Sequence, residues 1–351
     1  MTRYSAAKSV ALSDSSQTAE QLTAVRFIHR TTMVVVVQQN EMLSKIPPLA
    51  RLMDAMRDAY EEFSAGHAYV ADVQHVHVAP HDEDDEGGHA CVKSGYIKGK
   101  SSWVVKVAGG FPGNAALGLS NSQGCMLLFS QTTGELETIL LDNGHLTDVR
   151  TAAAACLCIS KFAPAKAASL SILGTGVVAK LVAEYAVDLG FGGVIVSSRT
   201  SESAEKFAAF AKSKGWAKVS IESYAAATAR ADVVVCCTPS TEPLVPAVKP
   251  GALVVALGAD GPGKRELGPA VLRGDVKLLV DSRKQCEAFG EAHYRPEGLP
   301  TEELGEHKWA GAPPRATPDT VIVCDLTGIA TQDVAIACAV RDAVVAEDEA
   351  K

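Results

Sequence analysis

The chain reads as an α/β protein: a doubly wound parallel sheet of the Rossmann type, inserted into an α+β dimerisation and catalytic domain built from both ends of the polypeptide. Three observations predict this. A short apolar run, Ser169-Leu170-Ser171-Ile172-Leu173, ends in Gly174-Thr175-Gly176-Val177-Val178-Ala179 and leads straight into a helical pattern. From there to residue 324, strand-length apolar runs alternate with helical or turn segments, as in a parallel sheet. Between residues 90 and 141, by contrast, strand-like runs are separated only by short glycine-rich turns, which suggests antiparallel pairing.

The elements follow in order. Residues 1–32 form an extension expected to be flexible. Ser, Thr and Ala are prominent there, and Arg3, Lys8, Arg26 and Arg30 stand against two acids, so a plain extension and an organelle-import segment are both open readings. The folded part opens on the strand Met33–Val37. Glu41 to Ser64 carries apolar residues at helical spacing across Pro47-Pro48, and Tyr69 to Pro80 alternates as a strand should. A charged loop at 81–89 precedes strands at 90–96, 102–108, 124–130 and 137–141, then an Ala-rich helix at 147–162. The parallel strands are expected at 169–173, 193–197, 218–221, 232–236, 253–257 and 277–280. A last strand at 320–324 leads into a terminal helix at 332–346 that packs back on the first domain. The domains are thus 33–151 plus 325–351 for dimerisation and substrate, and 152–324 for the dinucleotide.

Composition bounds the partners. The 351 residues, 47% hydrophobic and 21% charged, suit an ordinary soluble globular protein with room for two domains. A net charge of −8 argues against nucleic acid or an anionic membrane surface. No stretch approaches the roughly 18 uninterrupted apolar residues of a membrane span. The nine cysteines are scattered, and neither Cys156-x-Cys158 nor Cys236-Cys237 has zinc-site spacing. Reduced thiols and a cytoplasmic setting follow.

The glycine turn carries the first chemistry. Gly174 permits the tight bend and Gly176 lets the backbone approach a pyrophosphate. That group would sit on the N–H groups opening the helix at Val177 and Val178, with Thr175 between the glycines. The next strand ends in Ser198-Arg199-Thr200, with no carboxylate until Glu202. An acid at this place usually bonds a ribose 2′-hydroxyl, whereas an arginine accommodates a 2′-phosphate. NADP(H) is therefore the expected cofactor, with NAD(H) as the alternative. Thr238, just past the strand at 232–236, completes the expected cofactor set.

Three other segments stand out. One is Lys106-Val-Ala-Gly-Gly110-Phe-Pro112-Gly-Asn114, a lysine strand ending in a sharp turn. The next is Leu146-Thr147-Asp-Val-Arg150-Thr151-Ala152-Ala153, an arginine near the start of an apolar helix. The last is Asp260-Gly-Pro262-Gly263-Lys264-Arg-Glu266-Leu267, an aspartate in a glycine loop past a parallel strand. Each alone has a bland reading: a snorkelling lysine, a solvated arginine, a turn aspartate.

In this order and spacing, together with the glycine turn, they resemble the ornithine cyclodeaminase/mu-crystallin family over nearly the whole chain after the extension. The resemblance implies a homodimer paired through its N-terminal domain, a Rossmann domain holding NAD(H) or NADP(H), and chemistry on an α-amino acid or its cyclic imine. It further implies that Lys106 and Arg150 hold the substrate carboxylate and that Asp260 handles protons at the reacting nitrogen or at an attacking water. Two departures concern the substrate. The family's arginine on the strand before the acidic loop is absent, leaving His75 and His77 as the nearest candidates. Lys93 stands where ornithine cyclodeaminase and mu-crystallin carry an apolar residue, so it either replaces that arginine or binds a second carboxylate. His75, His77, His81 and His89 beside five acids are read as a solvated loop rather than a metal site.

The expected function is NADPH-dependent reduction of amino-acid-derived imines, of the pyrroline- or piperideine-2-carboxylate or iminosuccinate type. The alternatives are an NAD-dependent deaminating cyclodeaminase and a non-catalytic NADPH-binding protein of the mu-crystallin type.

Overall fold

Two eight-stranded sheets organise the chain. They are seen in a computed structural model that describes residues 27–29, 32–80 and 87–350. The first sheet contains β1 (Phe27–His29), β2 (Thr32–Gln38), β3 (Ala68–Val70), β4 (Gln74–Val78), β5 (Gly88–Ile97), β6 (Ser102–Gly110), β7 (Ser122–Ser130) and β8 (Leu136–Leu141). Its spatial order is β1-β2-β8-β7-β6-β5-β3, with β4 also paired to β5. Every pair is antiparallel except β2 with β8. Helices α1 (Gln39–Leu43), α2 (Leu49–Ser64) and α3 (His145–Phe162) belong to this half.

The second sheet is parallel throughout, as expected of strands buried on both faces. It contains β9 (Ser169–Leu173), β10 (Gly193–Ser197), β11 (Val219–Ile221), β12 (Val233–Cys236), β13 (Leu253–Ala256), β14 (Lys277–Val280), β15 (Thr301–Glu303) and β16 (Ile322–Asp325). The order is β11-β10-β9-β12-β13-β16-β14-β15, so the winding reverses between β9 and β12. A ligand cleft forms at such a reversal, beyond the carboxyl ends of the strands. Helices α4 (Val177–Ala186), α5 (Ser201–Ser213), α6 (Tyr224–Arg230) and α7 (Arg283–Phe289) belong to this half, and α8 (Ala330–Ala350) returns to pack on β5 and β6.

Several sequence expectations are corrected. The helix read across 41–64 is broken into α1 and α2, with Pro48 as the N-cap of α2. Proline lacks an amide hydrogen and pushes its predecessor out of the helical region, so apolar spacing alone does not carry a helix through Pro47-Pro48. The single strand expected at 69–80 is two, β3 and β4, both pairing with β5. The short edge strand β15 was not anticipated. Part of the supposed extension is structured, because β1 pairs with β2. The rest of that extension, and His81 with the acidic run after it, lie outside the described residues.

The expected boundary at 151/152 falls inside α3, which is continuous. That helix is buried along nearly its whole length, and its alanines and cysteines join Val37 and Met126 of the first sheet to Leu170 and Ile172 of the second in one apolar core. A rigid helix, not a linker, therefore sets the spacing of the two halves. All nine cysteines are free. Among the described residues, no helix is long and apolar enough to cross a membrane.

Candidate active site

Strand register assembles one wall of the site. His75 pairs with Cys91, His77 with His89, and Lys93 with Lys106. Because side chains alternate along a strand, these residues share one face of the first sheet. Two lysines directly opposite each other repel, and the fold compensates each separately. Lys93 Nζ donates to the carbonyl oxygens of Thr327 and Gly328, at 2.8 and 2.7 Å. Lys106 Nζ donates to Asp333 Oδ1 at 3.0 Å, and Arg150 Nε donates to the same oxygen at 3.2 Å.

This buried cluster is the electrostatic centre of the first half. The Lys106 and Asp333 side chains are each only 1% exposed. Burial pulls the Lys106 ammonium down to about 8, with Asp333 opposing that fall and Arg150 adding to it. Burial also disfavours the Asp333 carboxylate, yet Lys106 and Arg150 outweigh it and hold its pKa below the usual carboxylate range. At neutral pH the two cations thus share one anion. Sequence reasoning missed Asp333. The available signal was an acid at the start of the terminal helix, on the face that buries Ile329, Ile336 and Ala337. Arg150 lies flat on Gly328, whose φ is +78° and where a Cβ would fall 2.6 Å from Nη1.

The opposite wall is the loop past β13. Asp260 opens on the cavity with its side chain 49% exposed, and Lys264 Nζ donates to its Oδ1 at 2.6 Å. Burial disfavours its charge, but Lys264 and Lys93 prevail and keep its pKa below the ordinary value. Glu266 holds this loop in place. Its Oε1 accepts from the Thr238 amide (2.8 Å) and hydroxyl (2.6 Å), and its Oε2 accepts from the Gly258 amide (2.8 Å). It therefore ties the end of β12 to the end of β13. The sequence displayed Glu266 within its motif but not this duty.

Six residues expected to act on substrate, Lys106, Arg150, Asp260, Lys93, His75 and His77, line one cavity of about 650 Å³. Lys264 and Asp148 line it as well. Burial and the nearby Lys93 lower the pKa of His75. Its Nε2 is buried without a hydrogen-bond partner, and its ring meets Phe289 edge-on at 5.5 Å. Among the described residues, no three His, Cys, Asp or Glu side chains are gathered as metal ligands.

A second cavity of about 590 Å³ lies at the switch point between β9 and β12 and shares Pro239 and Thr241 with the first. Gly174, Thr175, Gly176, Ser198, Arg199, Thr200 and Thr238 line it. Gly174 has φ +105°, and a Cβ there would lie 2.5 Å from the Cys237 carbonyl oxygen. Nothing lies within 4 Å of the Cβ position at Gly176, the N-cap of α4, and no side chain caps that helix. The first-turn amides, those of Val177 and Val178 included, lack intrahelical partners. These residues fit a dinucleotide: open space, free amides and a close backbone approach coincide. Thr238 lines this cavity with its amide and hydroxyl both donating to Glu266. Arg199 is exposed beside Tyr224 and the N-terminus of α5, with no acidic partner among the described residues. Thr200 caps that helix by accepting from the Ser203 amide.

A profile of the ornithine cyclodeaminase/mu-crystallin family matches residues 32–348. This chain belongs to that family. The mouse ketimine reductase mu-crystallin is 32% identical over 259 residues, which is 73% of this chain and 80% of the relative. Among solved structures, an archaeal alanine dehydrogenase dimer with bound NAD aligns with a TM-score of 0.77 at 25% identity, covering 89% of this chain and 96% of that one. The iminosuccinate reductase of Paracoccus denitrificans in complex with NAD+ aligns with a TM-score of 0.76 at 27% identity, covering 89% and 97%. Family membership accounts for the three motifs and for the Rossmann half. Asp148 and Lys93 line the cavity beside the motif residues.

Proposed function

We propose that this protein is an NADPH-dependent reductase of imines derived from α-amino acids. The observation that carries this reading is the charge balance of the cavity. Lys106 and Arg150 share the single carboxylate of Asp333, which leaves one positive charge for the α-carboxylate of a substrate. Across the cavity, the ionised Asp260 is placed to stabilise a protonated imine nitrogen. The Gly174–Val178 turn would hold a reduced dinucleotide, whose chemistry is hydride donation to the imine carbon. The chain itself clamps the carboxylate, orients the C=N bond and offers a counter-charge to the iminium, which is the positioning such a transfer needs.

Arg199, the Ser203 hydroxyl and the N-terminus of α5 capped by Thr200 favour NADPH, because together they provide donors for a 2′-phosphate, while the nearest acid, Glu202, is paired with Lys206. A homodimer is part of the same reading. The face of the first sheet away from Lys106 is apolar and only partly covered. It carries Val76 and Val78, at 40% and 42% exposure, and the stacked pair Trp103–Phe129.

The purified protein, given NADPH and a panel of cyclic and open-chain imino acids, should oxidise NADPH in proportion to amino acid formed. Ammonia release from a diamino acid without net cofactor change would overturn the reductase reading in favour of a cyclodeaminase. Tight NADPH binding without turnover on any imine would leave a binding protein.

A further inference from the structure

An imine is reduced only if its nitrogen gains a proton, and Asp260 is poorly suited to bring one. Lys264 holds it ionised, so at neutral pH it faces the cavity as a carboxylate. A second carboxyl lines the same cavity. Asp148 lies in the first turn of α3, only 8% exposed, two positions before Arg150. Among the described residues no side-chain hydrogen bond fixes it, unlike Asp333 and Asp260. Resting on the imine-reductase reading above, we propose that Asp148 is the catalytic residue that protonates the substrate nitrogen, while Asp260 serves as counter-charge.

The environment supports a carboxyl that is loaded near neutrality. Burial pushes Asp148 up to about 7, with Arg150 on its own helix opposing, Asp142 before the helix adding, and Lys106 from β6 opposing. The helix N-terminus also favours its charge, and Asp260 and Lys264 across the cavity form a pair of no net charge. A substrate carboxylate arriving between Lys106 and Arg150 balances the one positive charge they keep beside Asp333 and adds a like charge beside Asp148. Both effects drive the proton onto Asp148. Substrate binding thus takes up a proton at the place where it is next used. In the step itself, the imine nitrogen lone pair forms an N–H bond and the Asp148 O–H bond breaks. A hydride from the reduced nicotinamide then adds to carbon, and the C=N π pair becomes the nitrogen lone pair. The Asp148 carboxylate regains its proton from water at the cavity mouth.

The test begins without cofactor. In protein carrying ¹³C-carboxyl aspartate, NMR should show a carboxyl titrating near neutrality that is lost in Asp148→Asn. The variant should bind NADPH as the parent does, and its imine turnover should fall by about 10²–10⁴. Parent kcat/KM should decline tenfold per pH unit above the titration midpoint of the free protein, and the variant should lack that step, keeping only the fall that Lys106 causes near pH 8. Asp148→Ser, smaller and uncharged, gives the same readings if the amide disturbs packing. The role is overturned if no near-neutral carboxyl disappears with Asp148, or if the variant turns over within a few-fold of the parent. A titrating Asp148 in a parent protein that reduces no imine overturns the reductase reading itself.

Discussion

Replacing Asp333 by asparagine removes the one anion shared by Lys106 and Arg150. In the parent, Oδ1 accepts from both, at 3.0 and 3.2 Å, and Oδ2 has no partner. Asparagine keeps an oxygen able to accept one of these bonds but loses the charge, and it sets an amide donor among cations. Breaking a buried pair from one side costs about 3–5 kcal/mol, because the other partner stays buried and uncompensated. Here two cations are stranded, though the open cavity lets water reach Arg150. A loss of about 3 kcal/mol is therefore expected in urea unfolding at pH 7, read from the midpoint at constant slope. Lys106, already lowered to about 8 and now without its main stabilising neighbour, should titrate lower still. Adding Lys106→Met to the variant should recover part of the loss, a coupling that distinct sites would not show. A loss below about 1 kcal/mol, or strict additivity of the two changes, would refute the idea that Asp333 balances this cluster.

The cofactor and cavity make further tests. Arg199→Asp should weaken NADPH roughly ten- to a hundredfold more than NADH, the usual worth of a charge-assisted phosphate contact; equal weakening of both, measured by fluorescence titration, would remove the NADP assignment. Asp260→Asn should leave NADPH affinity nearly intact and cut imine turnover by about 10²–10³, the size of a lost electrostatic stabiliser. Turnover within a few-fold of the parent would make Asp260 a plain turn residue. Lys93→Met should lower stability by about 1–3 kcal/mol by leaving the Thr327 carbonyl unpaired, the Gly328 carbonyl still being served by Gln285. It should also raise KM for every imine if Lys93 replaces the missing arginine, or only for dicarboxylic imines if it reads a second carboxylate. Unchanged stability together with unchanged kinetics would show that its two hydrogen bonds contribute nothing.

Local pattern was enough for much of this molecule. The turn Gly174–Ala179 between two apolar runs specifies a dinucleotide unit because the strand, bend and helix are consecutive and each has its own periodicity. Ser198-Arg199-Thr200 could be placed beside the glycine turn for the same reason, and the motifs around Lys106, Arg150 and Asp260 named residues that line the first cavity. Where local signals competed, the reading failed: apolar spacing across Pro47-Pro48 looked helical, yet a missing amide hydrogen ended the helix there. Balance and pairing were beyond the sequence. Lys106 meets Asp333 across 227 positions, and Lys93 meets Thr327 across 234. Neither contact leaves a periodic trace, because each depends on the terminal helix returning to the first sheet. Only the tertiary structure shows that Lys93 is tethered, that one carboxylate serves two cations, and that Asp148 lines the same cavity as Asp260, which Lys264 keeps ionised. The charge state of a buried group is set by its neighbours in space, and this chain brings those neighbours from opposite ends.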